Sequence, residues 1–169
     1  THTHTHTHTH THTHTHTHTH THTHIHTNIH VHINEKAGIE FSKRSYKYQK
    51  RGTRKTKAFT EEGIDEHITI KTLVFHCPSI SDLEPFLVLM HADWHVKPKA
   101  LAAHLKVKSV SMLPANEAEV YVGMQTGGIS PFGTLRPMRV YMEASIAELP
   151  HVYISGGRRG LSVKVQPKD

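Results

Sequence analysis

The stretch ITIKTLVF (residues 68–75) decides the fold, because it begins with alternating polar and apolar residues and then becomes apolar on both faces. Such a change is typical of a strand that enters a buried sheet. FLVLMHA (residues 86–92) predicts a second buried strand. These two segments therefore predict a sheet that is covered on both sides.

Helices and further strands are predicted on either side of this pair. FSKRSYKY (residues 41–48) alternates loosely and predicts an edge strand, whereas KTKAFTEEG (residues 55–63) predicts a short helix that ends at its glycine. KPKALAAHLKV (residues 97–107) predicts a helix with Pro98 in its first turn and Leu101, Ala102 and Leu105 on one side. The remaining predicted elements are strands at residues 107–113, 138–143, 151–155 and 161–165, a helix from Pro114 through Val120, and a helical turn near residues 145–149.

This order of elements is neither a strict alternation of strands and helices nor a pure β-sandwich. It predicts an α+β domain built around a strongly curved mixed sheet, with helices packed outside. Residues 34–169 have the length of one domain and are enough to form a core.

The first 33 residues differ from the rest of the chain. Thr and His alternate without interruption over residues 1–24, as in a translated CA dinucleotide repeat or a misplaced gene start, and we expect this segment to be disordered. The alternative is a metal-binding tail, since histidines on one face of an extended strand can bind Zn, Cu or Ni. Nothing in the repeat fixes a coordination geometry. We therefore expect no metal site and no cofactor.

Charge and cysteine content limit the class of protein. The formal net charge is +6, and every Lys, Arg, Asp and Glu lies in residues 34–169, so the domain is suited to a polyanionic partner. Cys77 is the only cysteine, which excludes an internal disulfide and favours a buried structural thiol over a nucleophile. The absence of a long apolar run and of a secretory signal leads us to expect a cytosolic protein with no membrane partner.

Lys71 and two glycine-rich loops are the candidate functional residues. Lys71 is either a solvated strand lysine or a fixed cation that faces a phosphate, a ribose or a polarised carbonyl. GGISPFG (residues 127–133) is either a tight turn or a loop whose bare amides stabilise an oxyanion. SGGRRG (residues 155–160) is either a hairpin turn or a pocket wall to which Ser155 contributes a hydroxyl.

A basic stripe precedes these segments. Cations and interleaved tyrosines suit the single-stranded end of a nucleic acid, and solvated surface charge is the alternative. The stripe consists of Lys43, Arg44, Lys47, Lys50, Arg51, Arg54, Lys55 and Lys57, without an acid among them, and Arg158 and Arg159 are further candidates for phosphate contacts. No zinc-enzyme, nucleophile-elbow or phosphate-loop motif is present, so if the protein is an enzyme we expect it to use neither a metal nor a catalytic triad.

Four segments together resemble the YbaK/ProX family of free-standing aminoacyl-tRNA deacylases, which are relatives of the editing domain of bacterial prolyl-tRNA synthetases. The segments are IKTLVF, VGMQTGGISPFG, VYMEASIAELP and VYISGGRRG, and the resemblance runs from about residue 38 to residue 169. It implies a curved mixed sheet that forms a barrel-like core with surrounding helices. The branch that it matches most is YbaK, which clears cysteine from tRNA(Pro).

The resemblance also implies roles for individual residues. Lys71 matches the essential lysine of the family, and Gly127, with Gly128 beside it, matches the loop implicated in catalysis. The residues implied to bind substrate are Tyr46, Thr72, Ser130, Ser155, Gly156 and Gly157. The family's first and last helices have no counterpart here, so we expect the domain to be truncated at both ends.

The implied reaction is cleavage of the ester between a misattached amino acid, cysteine in the first place, and tRNA(Pro). The thiol of the substrate itself would attack the carbonyl, helped by its high effective molarity. The implied partners are the acceptor end of aminoacyl-tRNA and a prolyl-tRNA synthetase in a ternary complex, and no DNA partner is expected. The alternatives are hydrolysis of Ala-tRNA(Pro) by a bound water, a non-catalytic tRNA-binding protein, or a decayed reading frame.

Overall fold

The computed structural model describes residues 38–48, 62–80 and 84–169. Within these ranges the chain forms seven strands, two α-helices and one 3₁₀ helix. In chain order they are β1 (Ser42–Ser45), β2 (Ile70–His76), β3 (Phe86–His91), α1 (Pro98–His104), β4 (Ser111–Met112), α2 (Ala115–Val122), β5 (Val140–Met142), the 3₁₀ helix (Ala144–Glu148), β6 (Val152–Ser155) and β7 (Leu161–Val165).

The strands form two sheets that meet at one point. The first has the order β4-β2-β3-β5, in which β2 pairs with β3 antiparallel and β5 pairs with β3 in parallel. The second has the order β1-β7-β6 and is antiparallel. A single parallel bridge between Thr69 and Tyr153 connects them. The predicted α+β class is confirmed, with two bridged sheets in place of the single mixed sheet that the sequence predicted.

Both faces of the β2-β3 pair are covered, as the sequence predicted. Ile70 packs with the β6-β7 hairpin and the 3₁₀ helix, and Val74 packs with α2 on the same face. Phe75 and Val88 lie on the opposite face, beneath α1. Leu87 is completely buried between β2 and α2. This pair is therefore the central layer of the domain.

The helices agree with the prediction in position and differ slightly in length. Pro98 is the first residue of α1, and Ala102 is its buried residue. The predicted second helix runs on to Val122, and Gly123 ends it in the left-handed conformation with φ 76°. Neither α-helix of the described ranges is long and apolar enough to cross a membrane.

Three strand and helix predictions need comment. The strand expected at residues 107–113 is reduced to Ser111–Met112, because the backbone N–H groups of Lys106 and Val107 still close the end of α1. The edge strand is confirmed over Ser42–Ser45. The helix expected at residues 55–63 lies, except for its last two residues, outside the described residues.

Cys77 is buried, as expected for a structural thiol. Its sulfur lies 3.1 Å from the carbonyl oxygen of Ser109, to which the thiol donates.

We expect Leu87→Ala to destabilise the domain by about 2–5 kcal/mol, because a fully buried leucine leaves both lost apolar contacts and a cavity. Urea denaturation measures this change as a lower midpoint. Val120→Ala is the control, since Val120 is 79% exposed and its truncation should change the free energy of unfolding by less than about 0.5 kcal/mol. Equal effects of the two substitutions would contradict the position of the core.

Candidate active site

The two glycine-rich loops pack directly against each other. A Cβ atom on Gly128 would lie 2.7 Å from the backbone carbon of Arg158 and 2.7 Å from the backbone nitrogen of Arg159, so only glycine fits there. The Ser155 hydroxyl, at the end of β6, donates to the Gly128 carbonyl at 2.8 Å. The structure therefore brings together the two loops that the sequence singled out.

A charged pair holds the backbone on both sides of Thr126, the residue that precedes the glycines. The backbone N–H of Thr126 donates to Glu119 Oε1 at 2.7 Å, and Arg159 Nε donates to the Thr126 carbonyl at 2.8 Å. The Arg159 guanidinium lies 5.1 Å from the centroid of the Tyr48 ring. Because Arg159 is engaged within the protein, its predicted contact with phosphate would compete with these bonds.

The pKa of Glu119 reflects this arrangement. The Thr126 backbone N–H is the main cause that holds the pKa of this carboxyl below its ordinary value, and Arg159 adds to it. The charged form of Glu119 is therefore the form that orders the turn.

Lys71 is fixed by backbone carbonyls at the end of β3. Its ammonium donates to the carbonyl oxygen of Ala92 at 3.3 Å and to that of Trp94. The bridge between Thr69 and Tyr153 sets the register of the two sheets, and Lys71 and Ser155 each follow a bridged residue by two positions. Since side chains alternate along strands, this register places both on the same side of their strands.

The amides of the first loop are used unequally. The Gly128 N–H donates to the Gln125 carbonyl at 2.8 Å, and the Ser130 N–H lies 3.3 Å from the sulfur of Met124. Gly127 is exposed, with φ 85°, and its N–H has no hydrogen-bond partner among the described residues. The sequence predicted that both glycine amides face a substrate, whereas this geometry leaves only that of Gly127 available.

The serines and glycines predicted to bind substrate shape the loops. The Ser130 hydroxyl is fully buried and accepts from the Phe132 N–H at 3.2 Å. Gly156 lies against Leu161, where a Cβ would be 2.8 Å from Cγ, and Gly157 has a φ of 90°. In this conformation these residues support the turns.

Thr72 and Tyr46 face inward. Thr72 follows Lys71 on β2 and so points to the opposite face, where its hydroxyl is buried without a partner in the described part of the chain. The structure does not bring Thr72 together with Lys71. Burial raises the pKa of Tyr46, and the Tyr46 backbone N–H donates to the Gly160 carbonyl at 2.9 Å.

The cations of the basic stripe differ in whether they are paired within the protein or exposed. Arg44 Nε donates to Glu62 Oε2 at 2.9 Å, so an ion pair offsets its charge. The Lys43 ammonium lies 5.8 Å from the Phe41 ring, whereas Lys47 is exposed, as is Arg158 in the second loop. Lys50, Arg51, Arg54, Lys55 and Lys57 lie outside the described residues.

A histidine cluster beside Lys71 was missed from the sequence. The rings of His67 and His91 stack with centroids 3.9 Å apart. His91 is completely buried, and its Nε2 lies 2.8 Å from the Ser145 hydroxyl and 3.2 Å from Glu143 Oε2. The Ser145 hydroxyl and N–H hold the pKa of Glu143 below its ordinary value. No local sequence pattern links His67, His91, Glu143 and Ser145. Only the folded structure shows that they lie together.

This cluster has metal-ligating residue types but not the geometry of a metal site. Ligand atoms of His67, His91 and Asp93 lie within 4.8 Å of one another. Both nitrogens of His91 are already hydrogen-bonded, and stacked rings direct their lone pairs in parallel instead of towards one ion. The cluster instead fixes the start of the loop whose carbonyls hold Lys71.

An apolar cavity of about 230 Å³ lies between α1 and the strands β3 and β5. Met90, one of its lining residues, is the cross-strand partner of Lys71, so the cavity is on the Lys71 face of the sheet. Its other apolar lining residues are Val88, Val96, Ala100, Leu101, Tyr141 and Met142. None of the site residues predicted from the sequence lines this cavity among the described residues.

The chain matches one known family and one curated relative by sequence. The sequence profile of the family described as the aminoacyl-tRNA editing domain matches residues 53–169, a range that contains Lys71 and both loops. EbsC of Enterococcus faecalis, a candidate Cys-tRNA(Pro)/Cys-tRNA(Cys) deacylase, is 26% identical over 106 residues. The aligned part is 63% of this chain and 63% of EbsC, so the match spans under two thirds of the relative's length.

Two solved structures share the fold. The hypothetical protein APE2540 superposes with a TM-score of 0.71 at 18% identity, over 82% of this chain and 88% of that chain. A candidate trans-editing enzyme for prolyl tRNA synthetase superposes with a TM-score of 0.67 at 16% identity, over 84% and 87%. At these identities the likeness establishes the fold alone.

We expect Gly128→Ala to separate the two loops, because its Cβ would meet the rigid backbone of Arg158 and Arg159. The cost should be about 1–3 kcal/mol of unfolding free energy, measured by urea denaturation. Gly63→Ala is the control: its φ of 72° also disfavours alanine, but no atom lies within 4 Å of the new methyl group. A crystal structure of Gly128→Ala with unmoved loops would contradict the proposed contact.

We expect Glu119→Gln to make the stability of the domain less dependent on acidic pH. Because its folded-state pKa is depressed, Glu119 stabilises the fold above its unfolded-state pKa of about 4.3, and this contribution is lost as the pH falls through the folded-state pKa. Thermal unfolding from about pH 6 to about pH 3 should show a shallower decline for the variant. A parallel decline in both proteins would exclude Glu119 as a source of acid sensitivity.

Proposed function

Since the chain belongs to the aminoacyl-tRNA editing domain family, in its YbaK-like group, we propose that it is a trans-editing deacylase that removes a misattached amino acid, cysteine in the first place, from tRNA(Pro). The observation that carries the proposal is that the two glycine loops pack against each other and that Ile129 of the first loop packs with Val74 on the strand of Lys71. Such editing is required because a synthetase pocket discriminates one small group by only ~1–3 kcal/mol.

Gly127 and Lys71 would act on the ester in different ways. The Gly127 N–H is the available donor of its turn and would bind the carbonyl oxygen as negative charge develops on it. A donor of this kind contributes about 2.7–4 kcal/mol in acyl transfer. The Lys71 ammonium would hold the terminal ribose or phosphate, because carbonyls of the loop after β3 fix its position.

The substrate would supply its own nucleophile. Its sulfur attacks the ester carbonyl carbon, the bond from that carbon to the ribose oxygen breaks, and the thiol proton ends on the released hydroxyl. No water or protein nucleophile is needed for this step, and a held thiol reaches effective molarities of about 10⁵–10⁸ M.

The surroundings of the site support this route. The Ser155 hydroxyl is bonded to Gly128, the Ser130 hydroxyl is buried in its turn, and Cys77 is bonded to Ser109. None of the three is paired with a histidine among the described residues. A rival proposal, hydrolysis of Ala-tRNA(Pro) by a bound water, is favoured if the cysteine substrate is not preferred.

We propose residues 34–169 as the catalytic unit, with the two bridged sheets forming one barrel-like wall around the site. The substrate partner is the acceptor end of the charged tRNA. A ternary complex with a prolyl-tRNA synthetase, which the resemblance to the YbaK/ProX family implies, is part of the proposal.

A deacylation panel tests the function. The protein is incubated with Cys-, Ser- and Ala-tRNA(Pro), and loss of the labelled amino acid is followed with time. Cys-tRNA(Pro) should react fastest, and Ser-tRNA(Pro), which differs by one oxygen for sulfur, should react slowly because its hydroxyl is a weaker nucleophile. Preference for Ala-tRNA(Pro) would favour the water mechanism, and no reaction with any substrate would refute the enzyme.

We expect Lys71→Met to lower kcat/KM by about 10²-fold or more, since loss of a charged contact to the substrate costs roughly 2–5 kcal/mol and about 2.7 kcal/mol corresponds to that factor. Methionine keeps the apolar stem, so the melting temperature should change little. Lys168→Met is the matched control, because Lys168 is exposed near the end of the chain. Full activity of Lys71→Met would remove Lys71 from the mechanism.

A further inference from the structure

A second basic surface surrounds α1 and is separate from the stripe that the sequence suggested. Residues 94–116 contain no Asp or Glu. This surface, which we call the α1 face, carries Lys97, Lys99, Lys106 and Lys108. All four are exposed, and none forms an ion pair within the described part of the chain. Their charges are therefore available to a partner.

Lys99 lies in α1, and the other three lysines flank the helix at its two ends. Leu101, Ala102 and Leu105 occupy its inner side and pack on the sheet. The exposed positions of α1 carry proline, lysine, alanine and histidine, without a large apolar side chain. Insertion into a lipid interface requires such side chains, so the chemistry favours a phosphate backbone over a membrane.

Lys106 occupies a position that favours glycine. Its φ is 56°, and it is the one non-glycine residue with positive φ among the described residues. Its N–H donates to the Ala103 carbonyl and the next N–H to the Ala102 carbonyl, which is the usual glycine-terminated end of a helix. A lysine here keeps a charge at a conformational cost, and such outliers point to function.

Trp94 joins the α1 face to the candidate active site. It is the only tryptophan of the chain and is 45% exposed. Its carbonyl accepts a hydrogen bond from the ammonium of Lys71. An exposed aromatic between free cations and a fixed lysine is suited to the unpaired end of an RNA, where bases stack and phosphates bind cations.

We propose that the α1 face binds the phosphate backbone of the acceptor arm and that Trp94 stacks on a base of its single-stranded 3′ end. This inference rests on the proposed function for the identity of the RNA. The stem would lie along α1, and the unpaired end would pass Trp94 towards Lys71.

Binding is tested with the full chain and an RNA hairpin that ends in single-stranded CCA. Anisotropy of the labelled RNA gives Kd over a series of salt concentrations. Lys97→Ala/Lys99→Ala should weaken binding about 10-fold or more and reduce the salt slope by about 2, since each phosphate contact contributes nearly one unit. Lys168→Ala should leave Kd and the slope close to those of the wild type. The hairpin should quench Trp94 fluorescence more than the same hairpin without its unpaired end.

Lys106→Gly distinguishes the contribution of the Lys106 charge to RNA binding from its effect on the stability of the fold. Glycine relieves the backbone strain, so the melting temperature should rise by about 2–4 °C while the affinity for the hairpin falls. A variant that is more stable and binds as tightly as the wild type would remove Lys106 from the surface.

The outcomes also distinguish a failure of the proposed RNA-binding surface from a failure of the proposed deacylase function. Hairpin binding that depends on α1 lysines, in a protein that deacylates no charged tRNA, would support the surface and refute the function. Deacylation with unchanged KM and Kd in the α1 variants would overturn the surface alone. No hairpin binding by the wild type, or equal dependence of phosphatidylserine vesicle binding on these lysines, would also overturn it.

Discussion

The contact between Gly128 and the backbone of Arg158 and Arg159 is the constraint on which the candidate site depends. It leaves no room for a side chain, and the Ser155 hydroxyl joins the same two segments by a hydrogen bond. The first loop and the β6-β7 hairpin must therefore move together or separate completely. Such coupling would keep the Gly127 amide in place for the proposed oxyanion stabilisation, because donors that need no reorganisation stabilise charge best.

Two kinds of cation follow from the fold. Arg44 and Arg159 are engaged by carboxylates or carbonyls of the protein itself, and they order loops. The lysines of the α1 face have no such partner in the described ranges. The net charge of the sequence cannot distinguish cations that are paired within the protein from cations that are not, because Arg44 and its partner Glu62 are 18 residues apart. Net charge thus pointed to a polyanion but not to the surface that would meet it.

The sequence predicted the elements better than their association. β2, β3, β6 and β7 follow from apolar runs of strand length, since burial on both faces leaves a local pattern. The division into two sheets does not follow from the sequence, because the sheets are connected by a single bridge between Thr69 and Tyr153. The stack of His67 and His91 likewise joins distant segments. Lys71 and the glycine loops could be singled out as candidates from the sequence because each lies within one short motif.

The position of the Lys71 ammonium depends on groups far from it in sequence. Its acceptors are carbonyls of the loop that follows β3, and His91 fixes the start of this loop through the His67 carbonyl and Ser145. A buried imidazole whose two nitrogens are both hydrogen-bonded is held in one orientation. His91 therefore also fixes the loop and, through the carbonyls of the loop, the Lys71 ammonium. The proposed reaction uses no protein nucleophile and so depends strongly on position, since even a displacement of about 1 Å can cost ~10²-fold. In the proposed reaction the histidine cluster would therefore act as a support that positions Lys71.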